Sequence, residues 1–145
     1  MRDVPITAQQ KAAWLARVPL FAGISEESMA RLAEVVGEVD FPAGSWIVRQ
    51  GQIGTGLYVI LSGRARVIRG SEELAQLGEG EFFGELAVID QQPRMASVQA
   101  ETDTACLALA SWDLLSLLEH DPALSLNLIK GLTERLRAAG EHHRQ

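Results

Sequence analysis

Apolar and polar residues follow three successive patterns along the chain. Over residues 7–17, and again after Ser25, apolar residues recur at the three- and four-residue spacing of amphipathic helices. Over residues 38–109 the pattern changes to short apolar runs separated by glycine-rich turns, which is typical of short antiparallel strands. After Ser111 the helical spacing returns. The chain is therefore predicted to be mainly β, with helices on both sides of the strands.

The helices before the strands carry start signals. Thr7 and Gln10 have the spacing of a capping box, and Ser25 is a predicted N-cap for a second helix. The connection between them is predicted to pack Leu20 and Phe21 inward. The second helix is expected to bury Met29, Leu32, Ala33 and Val36. The predicted strands lie near Glu38–Phe41, Trp46–Arg49, Leu57–Leu61, Ala65–Arg69, Leu74–Leu77, Met95–Ala100 and Thr104–Leu109.

Two further helices are predicted after the strands. Ser111 is expected to cap the first, over Trp112–His120, while Asp121 and Pro122 begin the second, which runs to about Ala139. The apolar stripe of the second helix is formed by Leu124, Leu128, Ile129, Leu132 and Leu136. This stripe has three interpretations: a cover for the strands, a lid over a ligand, or a seam between two copies.

The stretch 82–98 contains the candidate chemistry. Gly84 can adopt backbone angles that other residues avoid, and it precedes a short apolar run, 85–89, with helical capacity. The first amides of such a helix have no partners within the helix and attract anions. One loop would thus combine free N–H donors with the carboxylate of Glu85 and the guanidinium of Arg94.

These groups suit a ligand with a phosphodiester and a neighbouring hydroxyl. A guanidinium donates forked, charge-assisted hydrogen bonds to phosphate oxygens. A carboxylate can only accept, so Glu85 would require a donor such as a ribose hydroxyl. The alternative is that Glu85 and Arg94 pair across a surface turn and contribute little to stability.

Composition narrows the remaining choices. A chain of 145 residues fits one domain, and no apolar run approaches the roughly 18 residues that span a membrane. The first residues lack the apolar stretch of a secretory signal, so a cytoplasmic location is expected. The net charge of −6 disfavours binding to nucleic acid.

Cysteine and histidine do not indicate a metal site or a catalytic site. The single cysteine, Cys106, lies in an apolar run and is predicted to be a buried thiol. No metal cluster, nucleophile with a base partner, or Walker-type loop is visible in the sequence. We therefore predict no catalytic residues, no metal, no cofactor and no enzymatic activity, including no phosphodiesterase activity.

The two halves of the stretch resemble a known cassette. Phe83-Gly84-Glu85-Leu86-Ala87 followed by Pro93-Arg94-Met95-Ala96-Ser97-Val98 closely resembles the phosphate-binding cassette of cyclic nucleotide-binding domains. These domains occur in the catabolite activator protein, cyclic-nucleotide-dependent kinases and cyclic-nucleotide-gated channels. The resemblance extends over nearly the whole chain.

The resemblance implies a set of ligand-binding residues. Glu85 would bind the ribose 2′-hydroxyl and Arg94 the cyclic phosphate. The remaining residues expected at the ligand are Gly84, Met95 and Ala96, through their amides at the phosphate, and Val67, Ala75 and Leu86, around the purine. Lid candidates on the last helix are Arg135, Leu136 and Ala139. Arg137 is a further candidate of the same kind.

The resemblance also implies an architecture, an antiparallel jelly-roll-like β-roll. The expected single domain, 1–145, consists of N-terminal helices (1–37), a β-roll (38–110) with the cassette (82–98), C-terminal helices (111–140) and a tail (141–145). The cassette would contribute a short helix.

The expected function is that of a cyclic nucleotide sensor whose helices rearrange on binding. Met95 stands where domains that prefer cyclic GMP often have threonine, which favours cyclic AMP, although Ser97 lies nearby. A β-roll acting as a ligand-independent interaction or dimerisation module is the alternative. The other expected partners are a second copy bound through the last helix or a separate effector, without DNA binding or membrane insertion by this chain. Whether the chain is complete or part of a regulator, kinase or channel is left open.

Overall fold

The described part of the chain folds into two antiparallel β-sheets flanked by helices. The structure, a computed structural model, describes residues 7–54, 56–84 and 93–143, and at 139 and 141–143 the backbone alone. The strands are β1 (Gly37–Phe41), β2 (Trp46–Val48), β3 (Gly56–Ser62), β4 (Ala65–Arg69), β5 (Glu72–Leu77), β6 (Phe82–Phe83), β7 (Ser97–Ala100) and β8 (Thr104–Ala110). The first sheet has the order β1-β8-β3-β6 and the second the order β2-β7-β4-β5. This is the predicted β-roll with flanking helices.

The helices lie before and after the strands, as predicted. They are α1 (Ala8–Leu15), a short 3₁₀ helix (Pro19–Phe21), α2 (Glu26–Val35), α3 (Ser111–His120) and α4 (Pro122–His143). Thr7 and Gln10 form the predicted capping box at α1, and the Ser25 side chain accepts from the amide of Ser28 at α2. These caps satisfy amides that the first turn of a helix leaves without partners.

The two central strands of the first sheet, β3 and β8, are buried on both faces. Alternate residues of a strand point to opposite sides, so Leu57, Val59 and Leu61 of β3 pack against the helices while Ile60 points between the sheets. Leu20 and Phe21 of the 3₁₀ helix belong to the helical side, as expected. The cluster between the sheets consists of Val48, Ile60, Ala65, Leu77, Phe83, Val98 and Cys106.

Cys106 is the buried thiol that the sequence predicts. Its side chain is 0% exposed in the cluster between the sheets. Burial, together with the negative charge of Asp40, raises the pKa of Cys106 to about 12. The thiolate is therefore scarce at neutral pH, and this cysteine is unsuited to nucleophilic chemistry.

The start of α4 is bonded to the N-terminal elements. One oxygen of Asp121 accepts from the amides of Ala123 and Leu124, and the other accepts from the amide of Ser25 at 3.0 Å. Asn127 donates to the carbonyls of Leu20 and Ala22 at 3.0 and 2.7 Å. Asp121 is thus the predicted cap of α4 and also links α4 to α2.

Two predictions about the C-terminal helices were wrong, and one of the three interpretations of the apolar stripe holds only in part. Helix α3 begins at Ser111, because β8 continues to Ala110, which takes the N-cap position without a side-chain bond. Helix α4 continues to His143, so residues 141–143 are not a tail. Ile129 and Leu136 are 59% and 74% exposed, so only part of the predicted stripe covers the sheet.

Two strands in the middle of the chain differ from the prediction. The predicted strand Met95–Ala100 begins at Ser97, and the short strand β6 was not predicted. The predicted cassette helix, 85–89, lies outside the described residues. Among the residues that are described, no helix combines the length and apolar character needed to cross a membrane.

Candidate functional site

Arg94 is held by the loop between β2 and β3. Its amide donates to the carbonyl of Gln52 at 2.8 Å, and its carbonyl accepts from the amide of Gly51 at 2.9 Å. The neighbouring residues Ile53 and Pro93 form an antiparallel bridge. The backbone on both sides of Arg94 is therefore fixed by strand-like pairing rather than by a surface turn alone.

The guanidinium of Arg94 lies inside the protein rather than in solvent. Arg94 is only 9% exposed, and its Nη2 donates to the carbonyl of Gly56 at 3.0 Å. A guanidinium has five N–H donors in a planar fork, so it can serve a backbone carbonyl and an anion at the same time. Guanidinium N–H groups form short, charge-assisted hydrogen bonds with anionic oxygens, so this position is suited to an anion such as a phosphate.

Two glycines allow this placement of the guanidinium. A Cβ atom at Gly54 would lie 2.5 Å from both Cζ and Nη2 of Arg94. A Cβ at Gly84 would lie 2.6 Å from Nη1 and 2.9 Å from the carbonyl oxygen of Gly56. Gly84 also has a φ of +93°, the backbone freedom predicted for it. Gly84 and Arg94, two of the predicted ligand-binding residues, thus lie next to each other.

The loop between β2 and β3 was not predicted to be part of this site. Its contribution comes from backbone groups and from glycines at 51, 54 and 56, which the sequence pattern attributes to ordinary turns. A dense run of glycines was the available signal, since glycine also marks close approach of a backbone to another group.

The other predicted ligand residues occupy separate positions. Val67 and Ala75 are register partners on β4 and β5, so they lie side by side; Val67 packs against the inner cluster and Ala75 is exposed. Met95 is 65% exposed, and Ala96 is half-buried. Glu85 and Leu86 lie outside the described residues, and the side chain of Ala139 is likewise not described.

Ser97 has a fixed partner close to Arg94. Its Oγ accepts a hydrogen bond from the amide of Gln50 at 2.8 Å. The side chain of Gln50 in turn accepts from the amide of Gly70 at 2.9 Å. The hydroxyl of Ser97 therefore helps to connect β7 to the loop that holds Arg94.

Phe82 connects the second half of α4, residues 131–143, to the start of the cassette. The guanidinium of Arg135 lies 4.4 Å from the centre of the Phe82 ring and donates to the Phe82 carbonyl. The same ring packs over Gly131, where a Cβ would lie 3.2 Å from its Cζ atom. Of the lid candidates, Arg135 thus contacts a residue two positions before Gly84, whereas Leu136 is 74% exposed.

A groove follows this contact. It has a volume of about 460 Å³ and lies between the 3₁₀ helix, residues 80–82 and residues 127–138 of α4. Residues of both charge signs line it, Lys130 and Arg135 as well as Glu81 and Glu134. Arg94 is not among its lining residues, so the groove and the arginine site are separate features.

Comparison with known proteins identifies the sequence pattern. Residues 38–121, more than half of the chain, match the family described as "Cyclic nucleotide-binding domain". The chain is 39% identical over 126 residues to the cyclic AMP receptor protein of Thermus thermophilus, covering 83% of this chain and 58% of that protein. The chain thus spans little more than half the length of this relative.

Solved structures give the same fold. The crystal structure of Thermus thermophilus catabolite activator protein matches with a TM-score of 0.77 and 37% identity, over 87% of this chain and 62% of that one. The regulatory domain of Toxoplasma gondii PKA, in co-crystals with cAMP, matches with a TM-score of 0.79 and 26% identity, over 88% of this chain and 50% of that one.

Proposed function

The chain belongs to the cyclic nucleotide-binding domain family, a family of regulatory domains, and on that premise we propose that it is a sensor that binds cyclic AMP more tightly than cyclic GMP. The observation that carries the proposal is the guanidinium of Arg94, which is 9% exposed and lies against Gly54 and Gly84. In the proposed complex this guanidinium binds the cyclic phosphate.

The remaining ligand contacts are part of the same proposal. Glu85 accepts from the ribose 2′-hydroxyl, and the amides of Gly84, Met95 and Ala96 donate to the phosphate. Val67, Ala75 and Leu86 surround the purine. The side-by-side placement of Val67 and Ala75 in register supports a shared surface for the base.

The preference for cyclic AMP is supported by the two residues that could recognise guanine. Met95 has no hydrogen-bond donor for the guanine edge. The hydroxyl oxygen of Ser97 accepts from the amide of Gln50, which holds this side chain against the loop between β2 and β3. Tighter binding of cyclic GMP than of cyclic AMP in a titration would contradict this preference.

Binding is proposed to shift a population of conformations rather than to drive a reaction. The ligand binds an open form, and the flanking helices then repack around it. The equilibrium between the two forms can shift by no more than the ligand's difference in affinity for them. We expect no turnover of cyclic AMP; accumulation of AMP during incubation with the protein would overturn this expectation.

The direct test is calorimetric titration of the protein with cyclic AMP. We expect micromolar binding, about −8 kcal/mol. Arg94→Ala should weaken it by about tenfold to a hundredfold, since a hydrogen bond to a charged group contributes roughly 1.5–3 kcal/mol. Arg49→Ala removes one exposed arginine charge and is the matched control, with affinity unchanged.

The alternative function makes the opposite prediction. A ligand-independent interaction module would bind neither cyclic AMP nor cyclic GMP in the same titration. Equal affinity of the wild type and Arg94→Ala would also contradict the proposed role of the guanidinium, while leaving nucleotide binding itself in place.

A further inference from the structure

We propose that Gly54 is a positioning residue for the anion site, because its lack of a side chain allows the Arg94 guanidinium to lie against the backbone of the loop between β2 and β3. The inference rests on the proposed function for its ligand readout. It assigns to this loop, which lies outside the cassette, a part in orienting the arginine.

The distances at Gly54 leave no room for even a methyl group. A Cβ there would lie 2.5 Å from Cζ, 2.5 Å from Nη2 and 2.7 Å from Nε of Arg94. Three atoms of the planar guanidinium would therefore be approached at once. The guanidinium lies flat against this backbone position and could not keep its present place beside an alanine.

The same loop makes three hydrogen bonds to the arginine. Backbone bonds join Arg94 to Gly51 and Gln52, and Nη2 donates to the carbonyl of Gly56. Gly54 lies between these attachment points. The main chain and the side chain of Arg94 are thus both held by one short segment, and Gly54 is the position in it where an added Cβ would meet the guanidinium.

Gly54 differs from the two neighbouring glycines in what a substitution would disturb. At Gly56 a Cβ would lie 2.8 Å from the backbone oxygen of Leu109, and at Gly84 the φ of +93° disfavours any side chain. At Gly54 the contacts are with the flexible end of a side chain, and φ lies outside the left-handed region. Gly54→Ala should therefore move the guanidinium while the β-roll keeps its fold.

The experiment compares Gly54→Ala with Gly37→Ala. Gly37 also has an ordinary φ, and a Cβ there would meet no atom within 4 Å, so it controls for the added methyl and for reduced backbone freedom. We expect Gly54→Ala to weaken cyclic AMP binding by about tenfold or more, because the displaced guanidinium would lose a charge-assisted contact with the phosphate. Gly37→Ala should bind as the wild type does.

Titration with adenosine distinguishes a displaced phosphate contact from a distortion of the whole pocket. It has the base and ribose but no phosphate, so the wild type and Gly54→Ala should bind it equally. An equal loss of affinity for adenosine and cyclic AMP would overturn the positioning role.

A readout without ligand uses the Arg94 Nε–Hε signal in NMR spectra, assigned through its disappearance in Arg94→Ala. Gly54→Ala should shift this signal while the backbone signals of β3 and β8 stay in place. An unshifted Arg94 signal, or wild-type affinity in Gly54→Ala, would overturn the inference alone. Failure of the wild type to bind any cyclic nucleotide would overturn the proposed function and this inference together.

Discussion

The two halves of α4 are attached to the protein in different ways. In the first half, Leu124 and Leu128 are 0% and 5% exposed, and Asn127 and the cap Asp121 bond to the N-terminal elements. In the second half, from residue 131 onwards, Leu132 packs partly buried against the core, and Phe82 contacts Gly131 and Arg135. The first half is thus held by fully buried leucines and by hydrogen bonds to other elements, whereas the second half has fewer buried contacts.

This difference limits how the helices can respond to a ligand. The amide of Ser25 and the carbonyls of Leu20 and Ala22 are bonded to Asp121 and Asn127, so the N-terminal elements are attached to the first half of α4. The second half meets the cassette at Phe82. A ligand that displaced Phe82 would therefore act first on the second half of α4.

The largest expected effect is a loss of protein stability on truncating a buried side chain in the first half of α4. Leu124→Ala removes a fully buried side chain and should lower the free energy of unfolding by about 2–5 kcal/mol. Urea denaturation followed by circular dichroism measures this change. Leu126→Ala, in the same turn of helix but with 51% exposure, is the control and should change stability by no more than about 0.5 kcal/mol. Equal losses in the two variants would contradict the proposed anchoring.

The second prediction concerns the charge of Asp121. Hydrogen bonds from the Ser28 hydroxyl and the Ser25 amide lower the pKa of Asp121 below its ordinary value of 3.8. The bonded carboxylate therefore adds stability that is fully present above the ordinary pKa and is lost as the pH falls through the lowered pKa. Asp121→Asn keeps a capping oxygen but removes this titration, and should lower the free energy of unfolding by about 1 kcal/mol at pH 7.

Urea denaturation between pH 7 and pH 3 tests this link. The difference in stability between wild type and Asp121→Asn should narrow at the acid end, because the wild-type carboxylate becomes protonated there. A difference that stays constant over the whole range would show that the charge of Asp121 contributes nothing.

The sequence predicted elements whose signals are local. The Ser25 and Asp121 caps, the strand positions of β3 and β4 and the buried thiol of Cys106 each depend on neighbouring residues, and each was confirmed. The cap at Ser111 was wrong because a hydroxyl residue before a helical pattern does not tell how far the preceding strand extends.

Long-range placement could not be predicted. The periodicity of Ile129 and Leu136 identifies one face of α4 but not the point at which the helix leaves the sheet. Gly54 and Arg94 meet only because the loop after β2 pairs with the residues before β7. Contacts between segments distant in the chain depend on topology, which residue spacing alone does not contain.

The third prediction tests the contact between the two regions. Arg135→Ala removes the bond to the Phe82 carbonyl and the contact with its ring, and should lower stability by only about 0.5–1 kcal/mol, since Arg135 is exposed. If Arg135 belongs to a lid, the variant should also bind cyclic AMP several-fold more weakly in calorimetric titration. Arg49→Ala, which removes one exposed arginine charge outside α4, is the matched control for charge. Unchanged affinity in Arg135→Ala would remove it from the lid.

The smallest expected effect on stability is at Leu136. Because Leu136 is 74% exposed in the second half of α4, Leu136→Ala should change the free energy of unfolding by no more than about 0.5 kcal/mol. Its apolar side chain would gain burial only if α4 closed over a bound nucleotide, so affinity for cyclic AMP should fall although stability without ligand does not. A variant with wild-type affinity would place Leu136 outside the closed site. A large loss of stability would instead show that the second half of α4 is part of the core, and the contrast between the halves would no longer hold.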